Sequence, residues 1–339
     1  MDKPVIAITM GDPAGIGPEL IVKVLAQGEV HAHCCPFVVG DLAVMHAIGR
    51  VVGAGLRFRA ITSLPEARFT LPEVDVLPPE GLARRSDRRH ASDRVRWGQV
   101  DPAMGRAAAL CLREAFALAL AGQVQGVVSA PLNKEAFHLA GYPYPDELAY
   151  LADLTGSREP FIMGVMGAIW TVAVTEHIPF RQIAERIKKE RVLWHIARMH
   201  QAMKRAGVAA PRIAVAALNV HAGEGGLFGR EEIDEIGPAI QQAREQGIDA
   251  RGPVPADMVF VRAMEGDFDG VVCMYHDQAN IARKLQPKSE GATLFMGLPV
   301  PCGTTAHGTA FDKAGRGIAD PGSLEAALRH TIALASRES

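Results

Sequence analysis

Short apolar, β-branched runs that stop at a polar or glycine-rich turn are the feature that most constrains the fold of this chain. Examples lie at residues 5–9, 124–132, 212–219 and 271–275. Continuous runs of this length are typical of strands buried on both faces of a parallel sheet. Strongly apolar helical stretches such as residues 103–121 lie between them. The alternation predicts an α/β fold with a largely parallel sheet.

One pair of apolar runs breaks this alternation. Residues 161–166 and 169–174 are separated only by Gly167 and Ala168, which predicts an antiparallel hairpin at a lobe boundary or a dimer surface. A chain of 339 residues, 48% of them hydrophobic, also exceeds the usual size of a single domain. We therefore expect two lobes.

Charge and cysteine usage narrow the class of protein. With 36 basic and 38 acidic residues the formal net charge is -2, so no long-range field favours nucleic acid or an anionic membrane. The arginine-rich stretch 84–96 is interpreted as a solvated loop rather than a partner site. Five cysteines without a Cys-x-x-Cys pair indicate a reducing compartment. No apolar run approaches the roughly 18 residues of a membrane span, so we expect a cytoplasmic protein.

The first strand leads into a glycine-containing turn at residues 11–19, followed by an apolar helix. Backbone N–H groups at such a turn hold an anion or a substrate oxygen in some proteins, and form only a tight strand-to-helix connection in others. The turn is not a phosphate-binding P-loop, because no Gly-Lys-Ser/Thr follows. It also lacks the third glycine of the dinucleotide fingerprint. Both interpretations stay open.

Three histidines, His177, His221 and His276, each follow a predicted strand, where α/β folds gather their ligand sites. Taken singly, each is more typical of a structural or surface histidine. Together they predict a divalent metal site, with Zn²⁺ favoured over Mg²⁺, Mn²⁺, Co²⁺ or Ni²⁺. Asp257 is either a candidate fourth ligand or a residue that caps a turn or helix. Asp277 is a candidate orienting partner for His276.

Nucleophilic hydrolysis is the competing class of enzyme. The chain has no Gly-x-Ser-x-Gly elbow, and Ser129 has no flanking glycines. Cys302 stands beside Gly303, but a small packing thiol is the favoured interpretation. The sequence therefore gives this class little support.

Five motifs, at residues 11–19, 219–226, 256–257, 275–278 and 307–317, together resemble the 4-hydroxythreonine-4-phosphate dehydrogenase family over nearly the whole chain. The resemblance implies an isocitrate/isopropylmalate dehydrogenase-like fold of two α/β lobes around a cleft. The expected lobes are residues 1–130 with 275–339 on the cofactor side, and 131–274 on the metal and dimer side. It also implies a homodimer whose subunits share the site.

The resemblance implies an NAD- and metal-dependent oxidation of a secondary alcohol beside a carboxylate-bearing carbon, followed by decarboxylation. Asp257, Asp277 and Lys284 are the expected catalytic residues, and Lys284 is also an expected substrate contact. His177, His221 and His276 are the expected metal ligands. The expected cofactor-binding residues are Gly303, His307, Gly308, Thr309, Ala310, Gly315, Gly317 and Asp320.

The expected substrate-binding positions depart from the family pattern. Glu147 and Leu148 stand where the family's vitamin B6 enzymes have histidine and threonine, and Thr293 and Cys302 where they have asparagine and arginine. Losing the arginine removes a bidentate phosphate ligand. The leading hypothesis is thus a dehydrogenase that converts a terephthalate-type cis-dihydrodiol carboxylate to protocatechuate.

The alternatives within the family are oxidation of 4-phosphohydroxy-L-threonine, as in vitamin B6 synthesis, and oxidation of phospho-threonate or phospho-erythronate. From a different class, we consider a non-catalytic protein that binds a metal or a small anion on the same fold.

Overall fold

A computed structural model describes residues 3–82 and 95–336. The arginines at positions 84–94 lie outside the described residues, so the interpretation of that stretch stays a prediction. The chain divides into two compact units, unit 1 (Met1–Phe161 with Ala292–Ser339) and unit 2 (Ile162–Gly291). The division falls at residues 161–162 and 291–292, whereas the lobes expected from the sequence divide near residues 130 and 275; that expectation stays a prediction.

Unit 1 is built on a mixed sheet in the order β3-β4-β2-β1-β5-β12-β11, in which the β11–β12 pair is antiparallel. Its strands are β1 (Val5–Thr9), β2 (Cys35–Val39), β3 (Arg57–Ala60), β4 (Glu73–Leu77), β5 (Gly126–Ser129), β11 (Gly291–Met296) and β12 (Cys302–Thr305). Its helices are α1 (Gly17–Ala26), α2 (Glu29–His33), α3 (Leu42–Val52), α4 (Pro102–Leu120), α5 (Lys134–Leu139), α6 (Glu147–Thr155) and α12 (Gly322–Ala335).

Unit 2 has the strand order β6-β7-β10-β8-β9, in which β6 and β7 form an antiparallel hairpin and the other pairs are parallel. Its strands are β6 (Phe161–Met166), β7 (Ile169–Thr175), β8 (Arg212–Ala216), β9 (Asp249–Val254) and β10 (Gly270–Tyr275). Its helices are α7 (Ile183–Arg186), α8 (Lys189–Ala206), α9 (Gly237–Glu245), α10 (Ala256–Met264) and α11 (His276–Leu285).

The central strands of both sheets are buried, as their apolar sequences predict. Ile6 and Ile8 of β1 and Val272 of β10 are fully buried. In unit 2, α8 packs so closely on the start of β10 that a Cβ added at Gly270 would lie 2.8 Å from the Met199 sulfur. The alternation of strands and helices confirms the predicted α/β class, and the antiparallel pairing of β6 with β7 confirms the predicted hairpin.

The helical segment that contains α9 begins with a π-helical turn, Glu232–Ile236. Here the buried Glu232 carboxylate accepts hydrogen bonds from the backbone N–H groups of Leu218 and Asn219, both at 2.8 Å.

In the described ranges, no helix combines the length and apolarity that crossing a membrane requires. All five cysteines, which lie in described parts of the chain, are unpaired thiols.

Candidate active site

In unit 2, the ends of β7 and β10 lie side by side. The two strands are parallel neighbours with Thr175 opposite Tyr275, so the residues that follow each strand emerge at the same edge of the sheet. The Thr175 hydroxyl donates a hydrogen bond to the Met274 carbonyl at 2.8 Å. Gln278 ties the start of α11 to β10 and to the end of β8, because it accepts from Met274 N and donates to Ala217 O. These hydrogen bonds hold the ends of β7 and β10 and the start of α11 in place.

His177 and His276, two of the three predicted metal ligands, meet at this edge. Their ring centroids are 5.5 Å apart. Together with Glu176 they form a group whose ligand atoms all lie within 4.8 Å of one another. His276 Nδ1 lies 2.7 Å from the Asp277 carboxylate, as predicted for an orienting partner, which leaves Nε2 for a ligand. Two imidazoles and a carboxylate are a suitable donor set for a divalent transition metal.

His221 lies elsewhere on unit 2 and is not part of this group. It begins a run of left-handed backbone in which His221, Ala222 and Glu224, none of them glycine, have φ between 43° and 54°. Residues are held this way only when the surrounding structure enforces it, often at functional sites. The His221 side chain is exposed, with Nδ1 3.6 Å from Glu224. Its role as a metal ligand stays a prediction.

The remaining predicted residues of unit 2 are exposed. Asp257 lies in the first turn of α10, outside the group of ligand atoms. Lys284 lies in the last turn of α11, eight residues after His276, which corresponds to a rise of about 12 Å along the helix. Their catalytic roles stay predictions.

In unit 1, the predicted cofactor loop is held by α1. The carboxylate of Glu19, which has no exposed surface, accepts hydrogen bonds from Gly317 N at 3.0 Å and Ala319 N at 2.6 Å. Lys23 lies 3.1 Å from Glu19 and donates to the carbonyls of Gly317 and Ala319. The sequence motif contained Glu19, but no local signal showed that it holds a loop about 300 residues away.

The turn after β1 meets the same loop. Ile16 N donates to Thr309 O at 3.1 Å, and a Cβ added at Gly15 would lie 2.9 Å from Thr309 Cβ. The structure thus brings the first and last motifs of the sequence together within unit 1. These contacts agree with the interpretation of the turn as a tight strand-to-helix connection, because Ile16 N and Gly15 already contact Thr309.

The predicted cofactor residues have unequal surroundings. Gly303 backs onto α12, where an added Cβ would lie 2.4 Å from the Thr331 hydroxyl, so helix packing alone accounts for its lack of a side chain. Gly315 packs similarly on Trp97 with φ of 71°. By contrast, a Cβ at Gly308 would meet nothing within 4 Å, and His307 beside it is partly exposed. Asp320 accepts a hydrogen bond from Gly322 N at the start of α12.

Two of the expected substrate-binding positions that differ from the family pattern hold a carboxyl group, at Glu147, and a buried thiol, at Cys302. Phe295 on β11 lies opposite Cys302 on β12, and Thr293, two residues earlier, therefore shares the face of Cys302. Cys302 is fully buried, and burial, with a smaller contribution from the charge of Glu147, raises the pKa of its thiol well above the usual range. A neutral buried thiol is no nucleophile, which agrees with the packing interpretation.

Glu147 begins α6 beside the buried Leu148. Burial raises the pKa of the Glu147 carboxyl to about 7, against a hydrogen bond from Ser129 that lowers it. Its Oε1 is buried and has no hydrogen-bond partner among the described residues. Neither Glu147 nor Cys302 supplies a positive charge, so these two positions offer no ion pair to a phosphate group.

Asp12, in the turn after β1, is a second buried carboxyl in unit 1. Its Oδ1 accepts from Ala14 N at 2.8 Å, while Oδ2 is buried and finds no partner in the described part of the chain. Burial raises the pKa of Asp12 to about 6, with a further contribution from Asp101. Sequence reasoning gave Asp12 no role.

An α/β chain that gathers two histidines and a carboxylate at one sheet edge has the donor set of a metal-dependent enzyme. The chain belongs to the family of the pyridoxal phosphate biosynthetic protein PdxA, whose profile matches residues 32–331. This confirms the family resemblance, and the sheets of the two units confirm the expected α/β class. The isocitrate/isopropylmalate dehydrogenase-like form of that fold stays a prediction.

Three related proteins show where the chain stands within this family. D-threonate 4-phosphate dehydrogenase of Cupriavidus necator is 44% identical over 339 residues, covering 98% of both chains. A 4-hydroxythreonine-4-phosphate dehydrogenase structure from Klebsiella pneumoniae has 38% identity and a TM-score of 0.83 over 98% of both chains. A terephthalate 1,2-cis-dihydrodiol dehydrogenase structure from Burkholderia xenovorans has 30% identity and a TM-score of 0.68, also over 98% of both.

These names support an oxidoreductase of the dehydrogenase type. They also favour the phosphorylated substrates, considered above as alternatives, over the leading hypothesis of a terephthalate dihydrodiol.

Proposed function

We propose that this chain is a dehydrogenase of a phosphorylated hydroxy acid of the D-threonate 4-phosphate type, dependent on NAD and a divalent metal. The observation that carries the proposal is the 44% identity over 98% of both chains with a relative of that name. The grouping of His177 and His276 with a carboxylate supports the metal requirement.

The proposed residue roles combine the family resemblance with the contacts observed within each unit. His177, His221 and His276 bind the divalent ion, as the resemblance implies, and Asp277 keeps the His276 ring oriented through its Nδ1 contact. When bound, the ion would supply polarisation of the substrate hydroxyl, and NAD would supply the hydride acceptor. Lys284 contacts the anionic substrate or moves the hydroxyl proton, and the 303–320 loop, held by Glu19 and Lys23, binds NAD.

The chemistry of a threonate phosphate suits this set of residues. Oxidation of the hydroxyl carbon next to the carbon that bears the carboxylate gives a β-keto acid; a hydride would leave for NAD and the hydroxyl proton for a base such as Lys284. Such an acid loses CO₂ readily, and the carbon that bore the carboxylate then takes up a proton to leave a phosphorylated three-carbon ketone. We include a cytoplasmic homodimer with a shared site in the proposal, as expected from the cysteine usage and the family resemblance.

A second candidate substrate, a cis-dihydrodiol dicarboxylate, is favoured by one observation. Cys302 and Glu147 lack the positive charge that a phosphate group requires, and Cys302 is fully buried. In the phosphate proposal, a cation outside these positions, such as Lys284, must bind the phosphate.

Steady-state NADH formation decides between the candidates. The purified chain is assayed with D-threonate 4-phosphate, 4-phosphohydroxy-L-threonine and the terephthalate dihydrodiol, before and after chelation and metal readdition. We expect the highest kcat/KM with D-threonate 4-phosphate, lost on chelation and restored by metal. Turnover of the dihydrodiol alone would overturn the phosphate proposal, and binding of metal without any turnover would favour the non-catalytic alternative.

A further inference from the structure

The loop that follows β8, residues 217–231, contains a backbone turn that most of its residues would not adopt on their own. Five consecutive residues form this left-handed turn: His221, Ala222, Gly223, Glu224 and Gly225. Three of them carry a Cβ, which in left-handed backbone lies too close to the following carbonyl oxygen. Contacts from outside the turn must therefore hold this segment, which we call the β8 loop.

One buried carboxylate holds the start of the β8 loop. Glu232, which is only 4% exposed, accepts hydrogen bonds at Oε1 from the backbone N–H groups of Leu218 and Asn219, both at 2.8 Å. Its Oε2 accepts a third hydrogen bond from Asn219 Nδ2 at 2.9 Å. Hydrogen bonds to an ionised acceptor are stronger than neutral ones, so these three contacts fix the chain just before the turn.

The same carboxylate lies against the middle of the turn. A Cβ added at Gly223 would lie 2.9 Å from Glu232 Oε2, so the missing side chain leaves room for the carboxylate there. Beyond the turn, Phe228 N donates to Gly223 O at 3.2 Å. Glu232 thus contacts the β8 loop on both sides of His221.

The π-helical turn Glu232–Ile236 begins at the residue that supplies this carboxylate. Gly237 N donates to Glu232 O, five residues back along the chain rather than the four of an α-helix. Ile233 and Asp234 in this turn are exposed, whereas Glu232 is buried. Single π-helical turns are rare and frequently lie at functional sites. The irregular helix start and the buried carboxylate therefore indicate the same loop.

We propose that Glu232 is a positioning residue, which holds the β8 loop in its left-handed form and so fixes where the loop presents His221. The His221 side chain is exposed, and its Nδ1 lies 3.6 Å from Glu224 in the same turn. An exposed side chain takes its position from the backbone more than from packing. A loop held in advance also loses less conformational entropy when His221 engages a ligand. The inference rests on the proposed function in one respect, that the reaction uses His221.

The first test is hydrogen–deuterium exchange of the full-length chain without metal, NAD or substrate. Glu232→Gln keeps the shape of the side chain but replaces one acceptor oxygen with an amide that faces N–H donors. We expect peptides from the β8 loop to exchange about tenfold faster in this variant, and peptides from β10 at the parental rate. Asp234→Asn, which loses only an exposed ion pair with Arg230 in the same π-helical turn, should leave both rates unchanged.

A double-mutant cycle separates positioning from a general structural role. The Zn²⁺ affinity of metal-free protein is measured for Glu232→Gln, His221→Ala and their combination. We expect Glu232→Gln to weaken Zn²⁺ binding about tenfold in the parent and to have no further effect in the His221→Ala background. Equal losses in both backgrounds, a parental exchange rate of the β8 loop in Glu232→Gln, or unchanged Zn²⁺ affinity in His221→Ala would each overturn the proposal.

A milder variant covers the case in which Glu232→Gln does not fold. Asn219→Ala removes the contact with Glu232 Oε2 and leaves the two backbone hydrogen bonds at Oε1 in place. It should give the same pattern of exchange and Zn²⁺ affinity with smaller changes, and parental values in both measurements would contradict the proposal.

These outcomes are distinct from those of the substrate assays. A chain that oxidised none of the three substrates would still show whether Glu232 holds the β8 loop and whether its effect on Zn²⁺ binding passes through His221.

Discussion

The buried carboxylate of Glu19 accepts a hydrogen bond from the backbone N–H of Gly317, 298 residues further along the chain. The same carboxylate accepts from Ala319, and Lys23 donates to the carbonyls of both loop residues. One turn of α1 thus satisfies four backbone groups of the predicted cofactor loop. The conformation of that loop depends on two side chains near the start of the chain.

Replacing Glu19 with glutamine should loosen this loop. The amide presents one acceptor where the carboxylate has two, and it leaves the Lys23 charge without its partner. We expect the free energy of unfolding to fall by about 3 kcal/mol, and the affinity for NADH to fall about tenfold. Urea denaturation and NADH fluorescence titration measure the two effects.

Glu29→Gln is the matched control for this variant, because Glu29 is exposed in the next helix. It should change both quantities very little. A stable Glu19→Gln protein with parental NADH affinity would contradict a role for Glu19 in holding the loop.

Asp12→Asn should stabilise the chain in a pH-dependent way. Burial raises the pKa of Asp12 from 3.8 to about 6, so folding favours the protonated form. The free energy of unfolding of the parent therefore falls as pH rises from about 4 to 6, and levels off above that. An uncharged asparagine avoids this loss, so the variant should gain up to about 3 kcal/mol relative to the parent between pH 4 and pH 7.

Urea unfolding at several pH values measures this difference. Asp41→Asn is a suitable control, because Asp41 caps α3 and asparagine caps helices equally well. If the free energy of unfolding of the Asp12→Asn variant changed with pH in parallel with that of the parent, Asp12 would be ionised without cost in the folded protein.

Asp277→Asn should weaken metal binding without removing a ligand. The Asp277 carboxylate holds His276 Nδ1 at 2.7 Å, and a neutral amide holds the ring less firmly. Changes of this kind typically cost 10–100-fold in metal affinity. Chelator competition for Zn²⁺ measures the loss, with Asp267→Asn, a half-buried partner of Arg262, as the control. Equal affinities in the two variants would count against an orienting role.

Glu147 should make the KM for an anionic substrate depend on pH. Because the pKa of this carboxyl is about 7, it is largely neutral at pH 6 and largely ionised at pH 8. An ionised carboxylate at the substrate repels an anion, so the KM of the parent should rise roughly tenfold over this range relative to Glu147→Gln. Glu135→Gln, an exposed change on α5, should follow the parent. Parallel profiles for the parent and Glu147→Gln would place Glu147 away from the substrate.

Sequence patterns predicted the central strands β1, β5, β8 and β10, because burial makes their sequences continuous apolar runs. The hairpin of β6 and β7 was predicted because it follows a local rule, two apolar runs separated by a short turn. The edge strands β3 and β9 were missed, since their sequences, Arg-Phe-Arg-Ala and Asp-Ala-Arg-Gly-Pro-Val, carry charges and no continuous apolar run. A strand at the edge of a sheet buries few of its side chains, so its sequence shows only a weak apolar pattern.

The candidate site was only partly predictable for a different reason. The position of a histidine after a strand indicated His177 and His276, because strand ends of a parallel sheet converge. Glu176 was missed although it adjoins His177, since only the register of Thr175 with Tyr275 shows which side chains meet. Contacts such as Glu19 with Gly317 leave no local signal, because nothing in either segment specifies the other.

The division of unit 1 between the two ends of the chain has a consequence for synthesis on the ribosome. β12 pairs with β5, and the loop after it rests on α1, so unit 1 lacks a central strand until residue 305 has left the exit tunnel. Unit 2, a continuous segment, has emerged entirely before then. When unit 2 has emerged, the predicted cofactor loop is still inside the tunnel. The candidate metal-binding edge is therefore available for folding first, and a segment translated after unit 2 completes a sheet begun before it.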